Sequence, residues 1–206
     1  MIINPDIEEY ILNMHKKHPI LKEMEDFGRS LNFPILGPMV GTILLQFTLA
    51  INAKRIMELG SGFGYSAFWF AMGLQDDGKI YCTDYSVKNK QIAEEYFSRA
   101  GLEKKINFSV GDAIEFLNQA EGKFDIILND IQKTSYPIAF ENMLSKLRPG
   151  GVLISDNVLW KGKVVSPSDD ETVKAIREFN QLIFNSDKVV STILPIRDGI
   201  SISIKK

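Results

Sequence analysis

From Lys54 onward, short β-type runs alternate with stretches at helical spacing, and this alternation restricts the chain more than any other feature. The runs are Arg55-Ile56-Met57-Glu58-Leu59, Lys79-Ile80-Tyr81-Cys82-Thr83-Asp84, Ile106-Asn107-Phe108-Ser109-Val110, Phe124-Asp125-Ile126-Ile127-Leu128 and Val152-Leu153-Ile154-Ser155. Between them the spacing predicts helices over 65–74, 86–100 and 112–118, and a further helix carrying Tyr136, Phe140, Met143, Leu144 and Leu147. Pro149-Gly150-Gly151 reads as the turn that leads into the fifth run. Strands alternating with helices of about 10 to 15 residues build right-handed βαβ units and hence a parallel, doubly wound sheet. The nearly continuous apolar run at Phe124–Leu128 is the pattern of a strand covered on both faces.

The pattern changes at the C-terminus. A helix predicted over 171–184 leads to Val189–Leu194, and the polar Arg197-Asp198-Gly199 separates this run from Ile200–Ile204, as in an antiparallel hairpin. The expected fold is therefore α/β: a Rossmann-like, doubly wound, mostly parallel seven-stranded sheet with a C-terminal antiparallel hairpin and extra N-terminal helices. No linker or repeat divides the 206 residues, so one domain is expected, with 1–52 as a helical segment and 53–206 as the core. The N-terminal helices carry apolar stripes, Ile7, Tyr10, Ile11 and Met14, then Val40, Leu44, Phe47 and Ile51. Their placement does not follow from the sequence.

In Glu58-Leu59-Gly60-Ser61-Gly62-Phe63-Gly64-Tyr65-Ser66, three glycines at alternate positions follow a strand and precede a helix. Backbone without Cβ admits a ligand closely there, and a helix N-terminus favours polar or anionic groups. A tight turn with no ligand is the plain alternative. A dinucleotide fingerprint requires Gly or Ala where Tyr65 stands, which disfavours NAD. Glu58, two residues before Gly60, would repel a pyrophosphate and suit a ligand ammonium. Asp84, about 20 residues on at the end of the second strand, is placed to accept from a ribose diol. Asp112 follows the third strand in the same way, and Ala113 is small enough to border a flat base. A nucleoside bearing a cationic amino acid, S-adenosylmethionine, fits this set.

Two oxygen-rich clusters end the fourth and fifth strands: Asn129-Asp130-Ile131-Gln132-Lys133 and Ser155-Asp156-Asn157. With one Cys and two His in the chain, a metal site must rest mainly on oxygen. Asp130, Asp156 and Asn157 suit Mg²⁺ first, with Mn²⁺ or Ca²⁺ as alternatives. Simple capping of turns and helices explains these residues equally well. Lys133 is a candidate base near such a cation, or an ordinary surface lysine. His15 and His18, flanked by Lys16, Lys17 and Pro19, read as a solvated helix end, and Cys82 reads as a core thiol.

Twenty-four Lys and Arg against 26 Asp and Glu give a net charge of −2, which supplies no global field for nucleic acid or anionic lipid. A local patch at Lys133, Arg148, Lys161 and Lys163 leaves RNA open. One cysteine allows no internal disulfide, no basic leader precedes an apolar stretch at Met1–Asp6, and no apolar run is long enough to span a bilayer. A cytoplasmic protein with no membrane partner is expected.

These motifs together resemble the metal-dependent class I O-methyltransferases of the catechol and caffeoyl-CoA type. Asp156-Asn157-Val158-Leu159-Trp160-Lys161-Gly162 is similar to the family's D-N-V-L-W-x-G, and Glu58–Ser66 to its E-x-G-x-x-x-G-Y-S turn. Pro195-Ile196-Arg197-Asp198-Gly199 resembles its closing hairpin, and Met39-Val40-Gly41 has a short likeness to its M-x-V-G segment. Ile131 and Gln132 depart from the usual D-A-D-K, which bears on the substrate pocket, while Asp130 and Lys133 are retained. The resemblance implies that Asp130, Asp156 and Asn157 bind a divalent cation and that Lys133 is the general base. It implies an S-adenosylmethionine site of Val40, Glu58, Gly60, Gly62, Tyr65, Ser66, Asp84, Asp112, Ala113 and Asp130, with Val40 closing over the methionine portion. It also implies homodimers and methylation of one hydroxyl of a small, hydroxylated aromatic diol. The alternatives are a tRNA hydroxyl-base methyltransferase of the same family, an NAD-binding dehydrogenase, and a cofactor-binding protein without turnover.

Overall fold

A computed structural model describes residues 4–15 and 18–206; Met1–Ile3 and the Lys16-Lys17 pair lie outside the described residues. Three helices come first: α1 (Pro5–Met14), α2 (Pro19–Ser30) and α3 (Gly37–Ala50). The alternating part follows as β1 (Arg55–Leu59), α4 (Tyr65–Gly73), β2 (Lys79–Asp84), α5 (Val87–Arg99), β3 (Ile106–Val110), α6 (Ala113–Gln119), β4 (Phe124–Asn129), α7 (Tyr136–Lys146) and β5 (Leu147–Asp156). Then α8 (Glu171–Asn185) precedes β6 (Val189–Leu194) and β7 (Ile200–Lys205).

The strands form one seven-stranded sheet in the order β3-β2-β1-β4-β5-β7-β6. β1 to β5 are parallel, whereas β7 runs antiparallel to both β5 and β6. This is the expected doubly wound sheet with its closing hairpin. Strand order reverses between β1 and β4, and ligands of open α/β sheets bind beyond the carboxyl ends at such a point.

Period-two side-chain alternation sends residues to two cores. Ile56, Ile126, Leu128, Val152 and Ile154 join α2 to α5 on one face, while Met57, Ile127 and Leu153 join α6 to α8 on the other. β4 is thus covered on both sides, as its apolar run predicts. Ser86 caps α5 by accepting from the Asn89 amide at 3.2 Å, and Gly101 follows this helix with φ +67°.

The structure corrects one expectation about local elements and refines another. Pro149-Gly150-Gly151 does not precede the fifth strand but lies inside β5: Phe124 pairs with Leu147 and Ile126 with Val152, so the extra residues form an irregular bulge. Proline lacks a ladder donor and Gly150 has φ +71°, so both fit where pairing is broken. His15 and His18 stand at helix ends as expected, His18 exposed and His15 half-buried, and both make specific contacts. His15 Nδ1 is 3.1 Å from the Thr42 hydroxyl, and His18 caps α2 through Nδ1 while its ring packs 5.3 Å from that of Phe68.

The N-terminal helices dock unequally. α1 buries no residue, and Ile7, Tyr10 and Met14 of its apolar stripe are exposed. α3 buries Val40 and Leu44 against the core and packs on α4 at Gly41, where a Cβ would stand 2.3 Å from the Trp69 indole. No helix among the described residues is long and apolar enough to cross a membrane. A Gly41→Ala exchange must push Trp69 or α3 aside, and overpacking of this kind costs about 1–3 kcal/mol. Urea denaturation should show that loss, and a midpoint equal to that of the unaltered chain would refute the tight approach of α3.

Candidate active site

The turn between β1 and α4 is held from below. The amides of Gly60 and Ser61 donate to the Thr83 carbonyl at 3.2 and 2.7 Å, and the Thr83 hydroxyl donates to the Glu58 carbonyl at 3.0 Å. Gly60, Gly62 and Gly64 have φ of +86°, +51° and +86°, backbone that side chains disfavour. A Cβ on Gly60 would lie 2.4 Å from the Asp130 carbonyl oxygen, and one on Gly62 would lie 2.9 Å from the Phe33 ring. Backbone contact therefore requires glycine at position 60 with or without a ligand, whereas at position 62 the positive φ disfavours a side chain and Phe33 would have to shift.

Two cavities open at the carboxyl edge and meet at Gly60, Asp84 and Asp130. The first, about 500 Å³, is bordered by the turn, by Asp130, Lys133, Asp156 and Asn157, and by the α2–α3 connector. The second, about 420 Å³, has Asp112, Ala113 and Tyr85 on its wall. The Asp84 carboxylate accepts from the amides of Gly62 and Ser86 at 3.1 and 2.8 Å and from Asn89 Nδ2 at 2.9 Å. Asp112 caps α6 by accepting from Ile114 and Glu115 at 2.9 Å each. The Tyr85 hydroxyl, 2.6 Å away, is the main cause holding the Asp112 carboxyl below its ordinary range.

Glu58 sits beneath the turn rather than on the cavity wall. It is fully buried, accepts from the Ser66 hydroxyl and lies 3.5 Å from Cys82 Sγ. Ser66, and not Glu58, faces the first cavity. Burial pushes the Glu58 carboxyl up to about 7, because no cation stands beside it to favour the charged form. Val40 is likewise fully buried in the core and lines neither cavity. Tyr65 begins α4 with its ring buried and its hydroxyl donating to Glu25 at 3.0 Å.

At the ends of β4 and β5 the sheet brings Asp130, Asp156 and Asn157 to the first cavity together. Lys133 is only 9% exposed, so it is no ordinary surface lysine; its Nζ donates to Asp130 Oδ1 at 2.5 Å and stands 5.1 Å from the centre of the Tyr136 ring. Burial, and then the facing Asp130, push the Asp156 carboxyl up to about 7. Burial also raises Asp130, against the opposing pull of Lys133. The Lys133 ammonium, bonded to Asp130, and the Arg197 guanidinium both oppose the rise of the two carboxyls. Two carboxylates and an amide oxygen are also a donor set suited to a hard divalent cation.

Several neighbours have no mark in the sequence pattern. The Tyr136 hydroxyl lies 3.0 Å from the carbonyl oxygens of both Asn129 and Asp156, tying the ends of β4 and β5, although the helical spacing shows only an apolar position. Phe33 and Ile35, in the α2–α3 connector, are likewise unmarked, whereas Trp160, Arg197 and Asp198 lie in motif segments without any local sign that these three stretches meet.

A family model described as O-methyltransferase matches residues 13–206. The chain belongs to the O-methyltransferase family. The caffeoyl-CoA O-methyltransferase 1 of Eucalyptus globulus is 31% identical over 96% of this chain and 81% of its own length. The catechol O-methyltransferase of Niastella koreensis is 33% identical over 83% and 82%. Among solved structures, the O-methyltransferase from Bacillus cereus in complex with SAH superposes with a TM-score of 0.88 at 30% identity, covering 98% of this chain and 97% of that one. The caffeoyl-CoA and catechol type expected from the motifs is thus the type to which the chain is similar, and an S-adenosylmethionine-dependent O-methyltransferase is the enzyme class.

The buried Glu58 makes stability depend on pH. Its folded value of about 7 exceeds its ordinary 4.5, so between these values the folded chain holds a proton that the unfolded chain has released. The contribution of Glu58 is therefore most favourable below about pH 4.5 and is lost as pH rises through about 7, by roughly 3 kcal/mol. Asp156 acts in the same sense. A Glu58→Gln variant should show a shallower fall in melting temperature between about pH 5 and about pH 8 than the parent. Equal slopes would mean that Glu58 is already ionised in the fold.

Proposed function

We propose that this O-methyltransferase moves the methyl group of S-adenosylmethionine to one hydroxyl of a small aromatic vicinal diol held at Asp130, Asp156 and Asn157. The observation that carries the reading is the pair of Asp130 and the buried Asp156 on one cavity with the buried Lys133 against it, its Nζ 2.5 Å from Asp130. The SAH held by the similar Bacillus cereus enzyme supports the cofactor.

In this reading the second cavity takes the nucleoside. Asp84 and Asp112 accept from its hydroxyl and amino groups with the lone pairs left by their capping bonds, and Ala113 leaves room for the flat base. Gly60 and Gly62 let the cofactor approach the backbone. Tyr65 and Ser66 border the amino-acid end, where Glu58 acts through the Ser66 hydroxyl and Val40 backs the wall from the core. The cofactor supplies the methyl group as an electrophilic sulfonium.

Asp130, Asp156 and Asn157 would hold the divalent cation, Mg²⁺ before Mn²⁺ or Ca²⁺, which when bound would acidify a substrate hydroxyl. Lys133, after losing its own proton, accepts the hydroxyl proton at Nζ. Tyr136 holds the ends of β4 and β5 in place, so the acid pair needs no rearrangement as charge develops. The apolar connector at Phe33–Leu36 screens the site from water. The protein acts as a cytoplasmic homodimer of single-domain chains.

A screen of catechols, hydroxycinnamoyl thioesters and total tRNA with labelled S-adenosylmethionine, with and without Mg²⁺, tests the reading. Mg²⁺-dependent label in a catechol supports it, and label in tRNA alone replaces it with an RNA-directed reaction. Lys133→Ala should lose at least about a hundredfold in kcat while binding the cofactor as before, as expected for removal of a general base. Unchanged turnover would remove Lys133 from the chemistry. Asp156→Ala should abolish the response to Mg²⁺ in the same assay, and a retained response would place the metal elsewhere.

A further inference from the structure

We infer that the loop closing the β6–β7 hairpin, residues 195–199, is a clasp that sets both walls of the acceptor side of the cavity, with Asp198 as its positioning residue. What the cavity holds rests on the proposed function; the clasp itself rests on the following contacts.

The segment after β5 has unusual backbone. Asn157, Trp160 and Lys161 have φ of +58°, +45° and +55°, and Gly162 follows at +77°. Tryptophan and lysine rarely adopt this region, because Cβ crowds the neighbouring carbonyl, so contacts from elsewhere must hold them there. The hairpin loop supplies those contacts. Val158 N donates to the Gly199 carbonyl at 3.1 Å and Leu159 N to the Asp198 carbonyl at 2.9 Å. Lys161 N donates to Asp198 Oδ1, the one side-chain acceptor the loop offers to this segment. Gly199, at φ +81°, presses so closely that a Cβ there would lie 2.3 Å from Leu159 Cγ.

The same loop reaches the opposite wall. Arg197, itself at φ +53°, donates through Nη1 to the Ile35 carbonyl in the connector between α2 and α3. Ile35, Trp160 and Lys161 all line the first cavity. One short loop therefore joins a wall from near the N-terminus to a wall carried by β5. Asn157 starts the strained segment, so bracing at Lys161 also bears on where its amide oxygen stands beside Asp156.

Loss of the Asp198 carboxylate would free Lys161 N and release Trp160 from its left-handed backbone, loosening the acceptor wall. The turn at Gly60–Gly64 and the second cavity share none of these bonds, so cofactor binding should not follow. Asp198→Asn keeps an oxygen acceptor and should behave like the parent, whereas Asp198→Ala does not. Acrylamide quenching of tryptophan fluorescence in the full chain reads the wall directly, with Trp160→Phe subtracting the buried Trp69. Quenching of Trp160 should rise in Asp198→Ala only. For methylation of catechol, KM and the Mg²⁺ concentration at half activation should rise about tenfold in Asp198→Ala, with the calorimetric affinity for S-adenosylhomocysteine within about twofold of the parent. Where the alanine variant does not fold, Asp198→Ser, whose hydroxyl is too short to reach, takes its place.

Quenching equal to the parent in Asp198→Ala, an asparagine variant that behaves like the alanine one, or cofactor affinity falling in step with KM would each overturn the clasp. If the parent methylates no catechol, the acceptor reading fails by itself, and the quenching comparison still decides whether Asp198 holds Trp160.

Discussion

Two acids at the ends of neighbouring parallel strands, facing one cavity, are the constraint around which this site is arranged. Asn129 of β4 pairs with Ser155 of β5, so the residues that follow, Asp130 and Asp156, leave the sheet side by side. Burial raises both carboxyls, and the charge of Asp130 adds to the rise at Asp156. Lys133 returns from the next turn to face one of them, and Tyr136 fixes the carbonyls at the two strand ends. Gly60 has no side chain because the Asp130 carbonyl comes down on it. The glycine turn and the acid pair are thus mutually dependent: moving either disturbs the other.

Beneath the turn lies a second polar layer that reaches the two cavities at Ser61, Ser66 and Thr83 and keeps Glu58 and Cys82 behind them. Glu58, Ser61, Ser66, Cys82 and Thr83 bond among themselves inside an apolar surround. A network of this kind makes a stiff floor, because breaking any member leaves a buried polar group unsatisfied. The other walls are built differently. The α2–α3 connector and the hairpin loop come from opposite ends of the chain and meet across the cavity mouth, so rigidity below is combined with walls whose position depends on a few loop bonds.

Much of this was legible locally. Strand and helix alternation predicts the doubly wound sheet, because periods of two and 3.6 are properties of neighbouring residues. Asp84, Asp112, Asp130 and Asp156-Asn157 could be placed at the carboxyl edge because each lies at, or within two residues of, the end of a β-type run. Once the strands are parallel, all such ends point one way. Other residues were less legible for physical reasons. Pro149-Gly150-Gly151 looks like a turn, yet a bulge tolerates the same residues; the stripe on α1 had no placement from the sequence, and among the described residues Ile7, Tyr10 and Met14 stay exposed.

The sequence by itself determined the order of strands and helices, the closing hairpin and the oxygen-rich ends of β4 and β5, since these depend on residue types within a few positions of one another. Only the tertiary structure decided that Glu58 is sealed behind Ser66, that Val40 belongs to the core, and that Tyr136, Arg197 and Asp198 brace the site. Burial and desolvation are properties of everything packed around a side chain, and those neighbours, such as Ile35 for Arg197, come from parts of the chain that no local pattern relates.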